Sequence, residues 1–161
     1  MKDLLSIVSH FQLQGTVQEI NPLGAGLIND TYKVSTLEAD APDYVLQRIN
    51  HAIFQNVEML QANINAVTTH IRKKLEEKGE KDIERKVLHF FPADTGKTYW
   101  HDGESYWRVM AFIPNARTYE TVNPEYSYYA GVAFGNFQAM LADIPDKLGE
   151  TISDFHNMVF R

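Results

Sequence analysis

The chain has 161 residues, and 44% of them are hydrophobic, which is enough to bury the core of one ordinary domain and argues against disorder. The formal net charge of −6, with no basic block outside one helix, argues against a nucleic-acid or anionic-membrane surface. Because the sequence contains no cysteine, disulfides, zinc–thiolate sites and cysteine nucleophiles are excluded. The first residues hold no apolar stretch long enough for a signal peptide, so we expect a cytoplasmic protein.

The first half of the chain predicts a short helix, three strands and a long helix. The apolar spacing from Asp3 to Phe11 is typical of a short amphipathic helix. Alternating apolar and polar residues then predict three strands, Thr16–Asn21, Asn29–Thr36 and Tyr44–Ile49. Asn56 is a suitable cap for a long helix, because the apolar residues after it recur every three or four positions. Gly79 is expected to end that helix.

The second half predicts two more strands and one more helix. The strands are Lys86–Phe91 and Tyr106–Ile113, with a turn at His101-Asp102-Gly103-Glu104 between them. Asn123, Pro124 and Glu125 then open a helix in the expected order of cap, proline and acid.

The stretch from Tyr126 to Ala142 has no formal charge, but it is short for a membrane span of about 20 residues. A buried core helix is therefore the expected structure there. Together, the elements predict an α+β fold with two domains. Residues 1–113 would form a lobe with a five-stranded antiparallel sheet and one long helix, and residues 114–161 a connector and the start of an α-helical part.

A glycine-rich segment separates the first two predicted strands. Gly24 and Gly26 are followed by Asn29 and Thr31 as the second strand begins. A strand, a glycine turn and a strand can fold a backbone lid over a phosphate chain, because glycine has no side chain to hold the phosphates away. An ordinary hairpin turn has the same pattern, so this segment alone leaves both interpretations open.

Six ordered blocks of the chain resemble one group of kinases that act on small molecules. They are Gly24–Tyr32, Tyr44–Asn50, Tyr106–Met110, Ala116–Tyr119, Phe134–Gln138 and Ile152–Asn157. Together with the order of the predicted elements, they resemble the aminoglycoside phosphotransferase and choline kinase family. Within it, the N-acetylhexosamine 1-kinase branch is the most similar. The resemblance covers the whole chain but only the N-terminal part of such a kinase.

The resemblance implies a protein-kinase-like N-terminal lobe that binds ATP. Gly24, Gly26 and Asn29 would form the lid over the phosphates, and Thr31 would also contact the nucleotide. Arg48 on the third strand would take the place of the lysine that contacts the phosphates in the family. The alternative for Arg48 is an ordinary surface arginine.

The resemblance also implies roles for the long helix and for the residues after it. Glu58 would be the acidic partner of the strand cation, with Gln61 and Asn65 as the other polar choices on that helix; the alternative for Glu58 is charge complementarity with the helix N-terminus. The positions implied for the adenine pocket are Met110, Phe112 and Ile113, and those near the acceptor substrate are Arg117 and Tyr119.

Phosphoryl transfer also needs an aspartate that orients the attacking hydroxyl and ligands for magnesium. None of the six histidines has an aspartate two positions later, so the His-x-Asp loop of the family is missing from this sequence. We therefore expect a truncated kinase without a catalytic residue or metal ligand of its own, whose Mg²⁺ ligands lie outside this chain. We also expect the helix 123–141 to self-associate through its apolar face.

Two other hypotheses stay open. The chain could be a non-catalytic module of kinase-like fold that binds a nucleotide or a partner protein, which the missing catalytic loop favours. It could also be a structural α/β protein, although this would not explain the six blocks. A sugar as the acceptor, in particular an N-acetylhexosamine, follows from the resemblance alone.

Overall fold

A computed structural model describes residues 3–24, 26–119, 121, 123–155 and 157–160. Two of the sequence predictions involve residues outside this set. These are Ala25 in the predicted glycine lid and His156 in the last of the six blocks.

The described residues form an α+β fold with one antiparallel sheet and three α-helices, in agreement with the α+β part of the predicted fold class. The helices are α1 (Leu4–Val8), α2 (Val57–Glu77) and α3 (Pro124–Leu141), with a short 3₁₀-helix at Ile83–Arg85. The strands are β1 (Val17–Pro22), β2 (Asp30–Thr36), β3 (Tyr44–Ile49), β4 (Phe90–Phe91), β5 (Trp100–His101) and β6 (Tyr106–Ala111). The strand order is β1-β2-β3-β6-β4, and β5 pairs with β6 as well.

Side-chain caps set the beginnings of the helices. Asn56 accepts a hydrogen bond from the Met59 N–H at 2.9 Å, and Asn123 accepts one from the Tyr126 N–H at 2.8 Å. Each cap satisfies one of the amide groups that lack a partner in the first turn of a helix. Gly79 follows the end of α2 with a φ of 66°, a conformation that glycine adopts without strain. The predicted caps and the predicted end of α2 are thus confirmed.

The two faces of the sheet are covered by different helices. On one face, Trp107 and Val109 pack with Leu46 of β3 and with Ile7 and Val8 of α1. On the opposite face, Ile49 packs against Val57 and Leu60 of α2. Because side chains alternate along a strand, each strand of the sheet contributes every second residue to each of these two layers.

The number and extent of the strands differ from the prediction. The sheet has six strands instead of five, because a two-residue strand at β5 pairs with Trp107 and Tyr106. The strand predicted at Lys86–Phe91 is reduced to β4, since Val87 packs against Ile71 and Leu75 of α2 instead of joining the sheet.

The turn predicted at Asp102 and Gly103 is confirmed, and it connects β5 to β6. Asp102 accepts hydrogen bonds from the Glu104 and Ser105 N–H groups, and Gly103 has a φ of 95°. Side-chain bonds to the backbone of this kind stabilise tight turns.

Two helices also differ from the expectations. Helix α1 ends at Val8 instead of Phe11, because Phe11 forms a β-bridge with Ala93. Helix α3 contains no fully buried residue, and Phe134 is 71% exposed, so it is not the buried core helix that was expected. Only its last turn packs on α2, through Met140 and Leu141. Within the described residues, no helix has the length and apolar character needed to span a membrane.

Candidate functional site

A row of three polar side chains crosses the sheet on the face that α2 covers. Thr31 on β2 is paired with Gln47 on β3, and Gln47 is paired with Arg108 on β6. Cross-strand partners point to the same face of a sheet, so the three side chains lie next to one another. They stand in the layer between the sheet and α2.

These side chains form one connected set of hydrogen bonds. Gln47 donates from Nε2 to Thr31 Oγ1 at 3.0 Å. Its Oε1 accepts two hydrogen bonds from Arg108, from Nε at 2.9 Å and from Nη2 at 2.6 Å. The amide of Gln47 thus connects the start of β2, next to the glycine segment, to a guanidinium in the middle of the sheet.

Helix α2 adds a second amide to this set. Arg108 Nη1 donates to Gln61 Oε1 at 2.9 Å, and Gln61 Nε2 donates to the Thr98 carbonyl at 2.8 Å. Asn65, one helical turn after Gln61, donates to Thr98 Oγ1 at 3.2 Å. Gln61 is only 2% exposed, and its polar atoms are satisfied inside the protein.

The positive charge of Arg108 has no carboxylate partner within ion-pair distance among the described residues. Both amides that accept its hydrogen bonds are neutral. Burial disfavours the charged form and lowers the pKa of Arg108 to about 10, so the side chain stays protonated at neutral pH. A partly buried cation of this kind is favourably placed to bind an anion.

Three hydrogen bonds to Gln47 and Gln61 use three of the five N–H groups that a guanidinium carries. The face of Phe90 packs against the group, with 5.5 Å between Arg108 Cζ and the ring centroid. Arg108 also lines a cavity of about 670 Å³ between the sheet and helices α2 and α3.

That cavity is mostly apolar, with polar groups near one side. Gln47, Arg108 and Met110 line it from the sheet, Ile64 and Val67 from α2, and Phe137 and Met140 from α3. An apolar cavity with a few convergent polar groups is the usual form of a small-molecule site, and this one has the size of a typical ligand pocket.

The glycine segment adopts a tight conformation next to the row of polar side chains. Gly24 has a φ of 71°. A β-carbon at Gly26 would stand 2.5 Å from the Asn29 carbonyl oxygen and 3.8 Å from Thr31 Oγ1. The chain at Gly26 therefore has room only for glycine, and it passes close to the hydroxyl that begins the hydrogen-bonded set.

Asn29 connects the same segment to the end of β3. Its Oδ1 accepts a hydrogen bond from the Asn50 N–H at 2.9 Å. The side-chain oxygen is thus engaged within the protein, and its role here is to hold the segment against β3. A role for Asn29 in a phosphate lid stays a prediction, and in that role its backbone N–H would contact the phosphates.

Arg48 lies on the opposite face of the sheet from Thr31, Gln47 and Arg108, so it does not join their hydrogen-bonded set, and its contact with phosphates stays a prediction. It is paired with Asp30 on β2 and Trp107 on β6, and its Nε donates to Asp30 Oδ2 at 2.6 Å. This face is the one covered by α1, where Arg48 borders a cavity together with Leu4. Its charge is already matched by that of Asp30.

Glu58 is also placed differently from the expectation. Its Oε1 accepts a hydrogen bond from Lys97 Nζ at 3.1 Å on the surface. The hydrogen bond between Lys97 and the Tyr99 hydroxyl, followed by the one to Glu58, raises the pKa of Lys97. Helix α2 instead presents Gln61 to a guanidinium of the sheet. The other polar choices on this helix, Gln61 and Asn65, are therefore the ones that belong to the hydrogen-bonded set.

The three residues predicted to contact a base are only partly free to do so. Met110 lines the cavity, on the same face as Arg108. The Phe112 N–H donates to the Asp43 carbonyl at 3.1 Å, and the Pro114 carbonyl accepts from Arg85 at 2.7 Å. Within the part of the chain that the structure describes, Ile113 is the residue between Met110 and Pro114 whose backbone N–H has no hydrogen bond.

The two residues predicted near the acceptor substrate lie in the exposed connector before α3. Arg117 is exposed, and the ring of Tyr119 lies 5.0 Å from that of Tyr126. The structure does not bring either side chain to the cavity. In the described ranges there is no group of three or more histidine, aspartate or glutamate side chains arranged to hold a metal ion, so no residue is assigned to Mg²⁺.

No family model matches this chain. The kinase resemblance therefore rests on the six sequence blocks, and the structure contributes the geometry described above.

Sequence reasoning missed Arg108 and Gln47 as site residues, although both lie in blocks that carry the resemblance. One signal for them was available. Arg108 stands two positions before Met110, so the alternation of β6 places both on one face. Gln47 is likewise two positions after Val45 and two before Ile49 on β3. Which of the two faces belongs to α2 could be decided only by the fold.

Proposed function

We propose that this chain is the phosphate-binding lobe of an ATP-dependent small-molecule phosphotransferase of the aminoglycoside phosphotransferase and choline kinase group. The observation that carries the proposal is the uncompensated guanidinium of Arg108 at a cavity of about 670 Å³, connected through Gln47 to Thr31 beside the glycine segment. Phosphate oxygens match a guanidinium in charge and in hydrogen-bond geometry.

The proposal transfers the role first given to Arg48 to Arg108. A cation already paired with Asp30 has less to gain from a phosphate than one whose partners are neutral amides. The apolar remainder of the cavity, next to Met110, offers a place for the base, and the Ile113 N–H offers a donor close to it in sequence.

The residues of this chain would bind and orient the nucleotide. Arg108 would hold the phosphates, Gln47 would keep the guanidinium in place, and the backbone at Gly24 and Gly26 would approach the phosphate chain without a side chain between them. Bound Mg²⁺ would neutralise phosphate charge during transfer. The acceptor, an alcohol group of a sugar such as an N-acetylhexosamine, is proposed from the resemblance alone.

The test is a calorimetric titration of the purified chain with ATP, with and without Mg²⁺. We expect saturable binding that weakens roughly 10- to 100-fold in Arg108→Gln, because a charge-assisted hydrogen bond contributes about 1.5–3 kcal/mol. Arg48→Gln is the matched control, since it removes an arginine of the neighbouring strand from the opposite face, and it should change affinity less than about twofold.

Circular dichroism and thermal melts would establish that both variants fold. Absence of saturable ATP binding by the wild-type chain would overturn the proposed function. A loss of affinity in Arg48→Gln without one in Arg108→Gln would overturn the assignment of the phosphate-binding residue.

A further inference from the structure

The two amides that hold Arg108 have fixed orientations. Gln61 Nε2 faces two acceptors, the carbonyl and the hydroxyl oxygen of Thr98, at 2.8 and 3.2 Å. The side-chain amide of Gln61 cannot be rotated by 180°. Its nitrogen would then face the N–H groups of the guanidinium, and its oxygen would face the Thr98 carbonyl oxygen. The oxygen of Gln61 is therefore directed at Arg108, where it is 2.9 Å from Nη1.

Gln47 is oriented in the same way from the sheet. Its nitrogen donates to Thr31 Oγ1 at 3.0 Å, which leaves its oxygen for the two hydrogen bonds from Arg108. Each amide thus fixes the position of the guanidinium and supplies an acceptor, but neither supplies a negative charge.

A carboxylate has nearly the same shape as these amides, and either position could have held one. A glutamate at residue 47 or 61 would form an internal ion pair with Arg108, and the guanidinium would then attract an external anion much less. The neutrality of both partners leaves the full positive charge at the edge of the cavity.

We propose that Gln47 and Gln61 are positioning residues that set the affinity of the cavity for a polyphosphate anion by holding Arg108 without neutralising it. The inference rests on the proposed function, which it deepens by naming the residues that determine the charge of the phosphate site. The ligand class is a di- or triphosphate tail, which can bind to this charge without a divalent cation.

The experiment measures binding of inorganic tripolyphosphate, without divalent cations, to the wild-type chain and to four variants. Gln61→Glu and Gln47→Glu introduce a carboxylate, and Gln61→Met and Gln47→Met are neutral controls of similar size. Affinities are measured by calorimetry between 50 and 300 mM KCl, so that the salt dependence reports the charge of the site.

We expect each glutamate variant to bind tripolyphosphate at least tenfold more weakly than the methionine variant at the same position, and with a shallower dependence on salt. A merely structural role would affect both substitutions equally and would leave the salt dependence unchanged. If Gln61→Glu fails to fold, Gln47→Glu decides the question, since the Thr31 hydroxyl can donate to the new carboxylate.

Equal affinities and equal salt dependence for the glutamate and methionine variants would overturn the inference. This outcome is distinct from a failure of the proposed function. A wild-type chain that binds tripolyphosphate but not ATP would overturn the nucleotide proposal and leave this inference standing, whereas a chain that binds neither would overturn both.

Discussion

Arg48 and Arg108 have the same side chain, and their surroundings give them different properties. Arg48 is half-exposed and paired with Asp30, so its charge is satisfied at the surface. Arg108 is partly buried and bound to two neutral amides, and this burial lowers its pKa to about 10. A guanidinium that loses hydration without gaining a counter-charge is the better candidate for an anion site.

A prediction at the residue scale concerns Gly26. In Gly26→Ala, the added methyl group would stand 2.5 Å from the Asn29 carbonyl oxygen, a backbone atom that cannot move away at low cost. We expect the free energy of unfolding to fall by about 1–3 kcal/mol, as is typical of overpacking, and phosphate binding to weaken. Urea denaturation and the ATP titration measure the two effects.

The control for this variant is Gly131→Ala. Gly131 lies within α3, and nothing stands within 4 Å of the position of its β-carbon. Since alanine favours a helix interior over glycine, this change should stabilise the chain by about 0.5–1 kcal/mol. Equal stability of the two variants would contradict the close approach at Gly26.

At the scale of elements, long periodic segments were predictable from the sequence and short ones were not. Helix α2 follows the predicted apolar spacing, and its cap at Asn56 was recognisable as such. Strands β4 and β5 have two residues each, too few for an alternation to be visible, and they exist because β6 offers them a paired edge. Their extents therefore depend on the tertiary structure.

The contact between α2 and the end of α3 is held by polar groups. Lys74 Nζ and His70 Nε2 both bond the Met140 carbonyl, at 2.9 and 3.1 Å, and both bond the carboxylate of Asp143. The ammonium group of Lys74 complements the dipole at the C-terminus of α3. The hydrogen bond from Lys74, followed by that from His70, lowers the pKa of Asp143 below its ordinary value.

The second prediction concerns the variant Asp143→Asn, which removes the carboxylate from this contact. The lowered pKa means that Asp143 stabilises the fold above pH 3.8, its ordinary value, and that this contribution is lost as the pH falls through the lowered pKa. We therefore expect faster amide exchange in the last turn of α3 at neutral pH, and a difference from the wild type that disappears in strong acid.

Hydrogen-exchange mass spectrometry at pH 7 and thermal melts between pH 2.5 and 6 would measure these effects. Asp146→Asn is the control, because it removes an exposed carboxylate three residues away. If Asp146→Asn changes exchange in α3 as much as Asp143→Asn does, the contact does not hold the helix.

At the scale of the whole molecule, the sheet with α1 and α2 forms a compact unit, while α3 has a largely open surface. Phe134 is 71% exposed, Tyr128 69% and Tyr129 57%. Exposed aromatic side chains grouped on one helix often bind a partner. Self-association through this helix remains a prediction.

The third prediction tests that association. We expect the sedimentation coefficient of the chain to rise with concentration in the micromolar range, and Phe134→Ser to shift this rise to roughly tenfold higher concentration, as loss of an exposed aromatic anchor would. Leu37→Ser is the control, since Leu37 is 63% exposed on the loop after β2 and far from α3 in the chain. A chain that stays monomeric at all concentrations would refute the prediction.

Local patterns in the sequence determined the α+β class, the four longest strands, the two long helices and the turn at Asp102, because periodicity, caps and turn residues act over a few neighbouring positions. They also identified the glycine segment and the polar residues of α2. The tertiary structure decided which face of the sheet α2 covers, and with it that Gln47 and Arg108, instead of Arg48, border the cavity. Such a choice depends on strand register and on which helix packs on which face, and these are set by contacts between residues far apart in the chain.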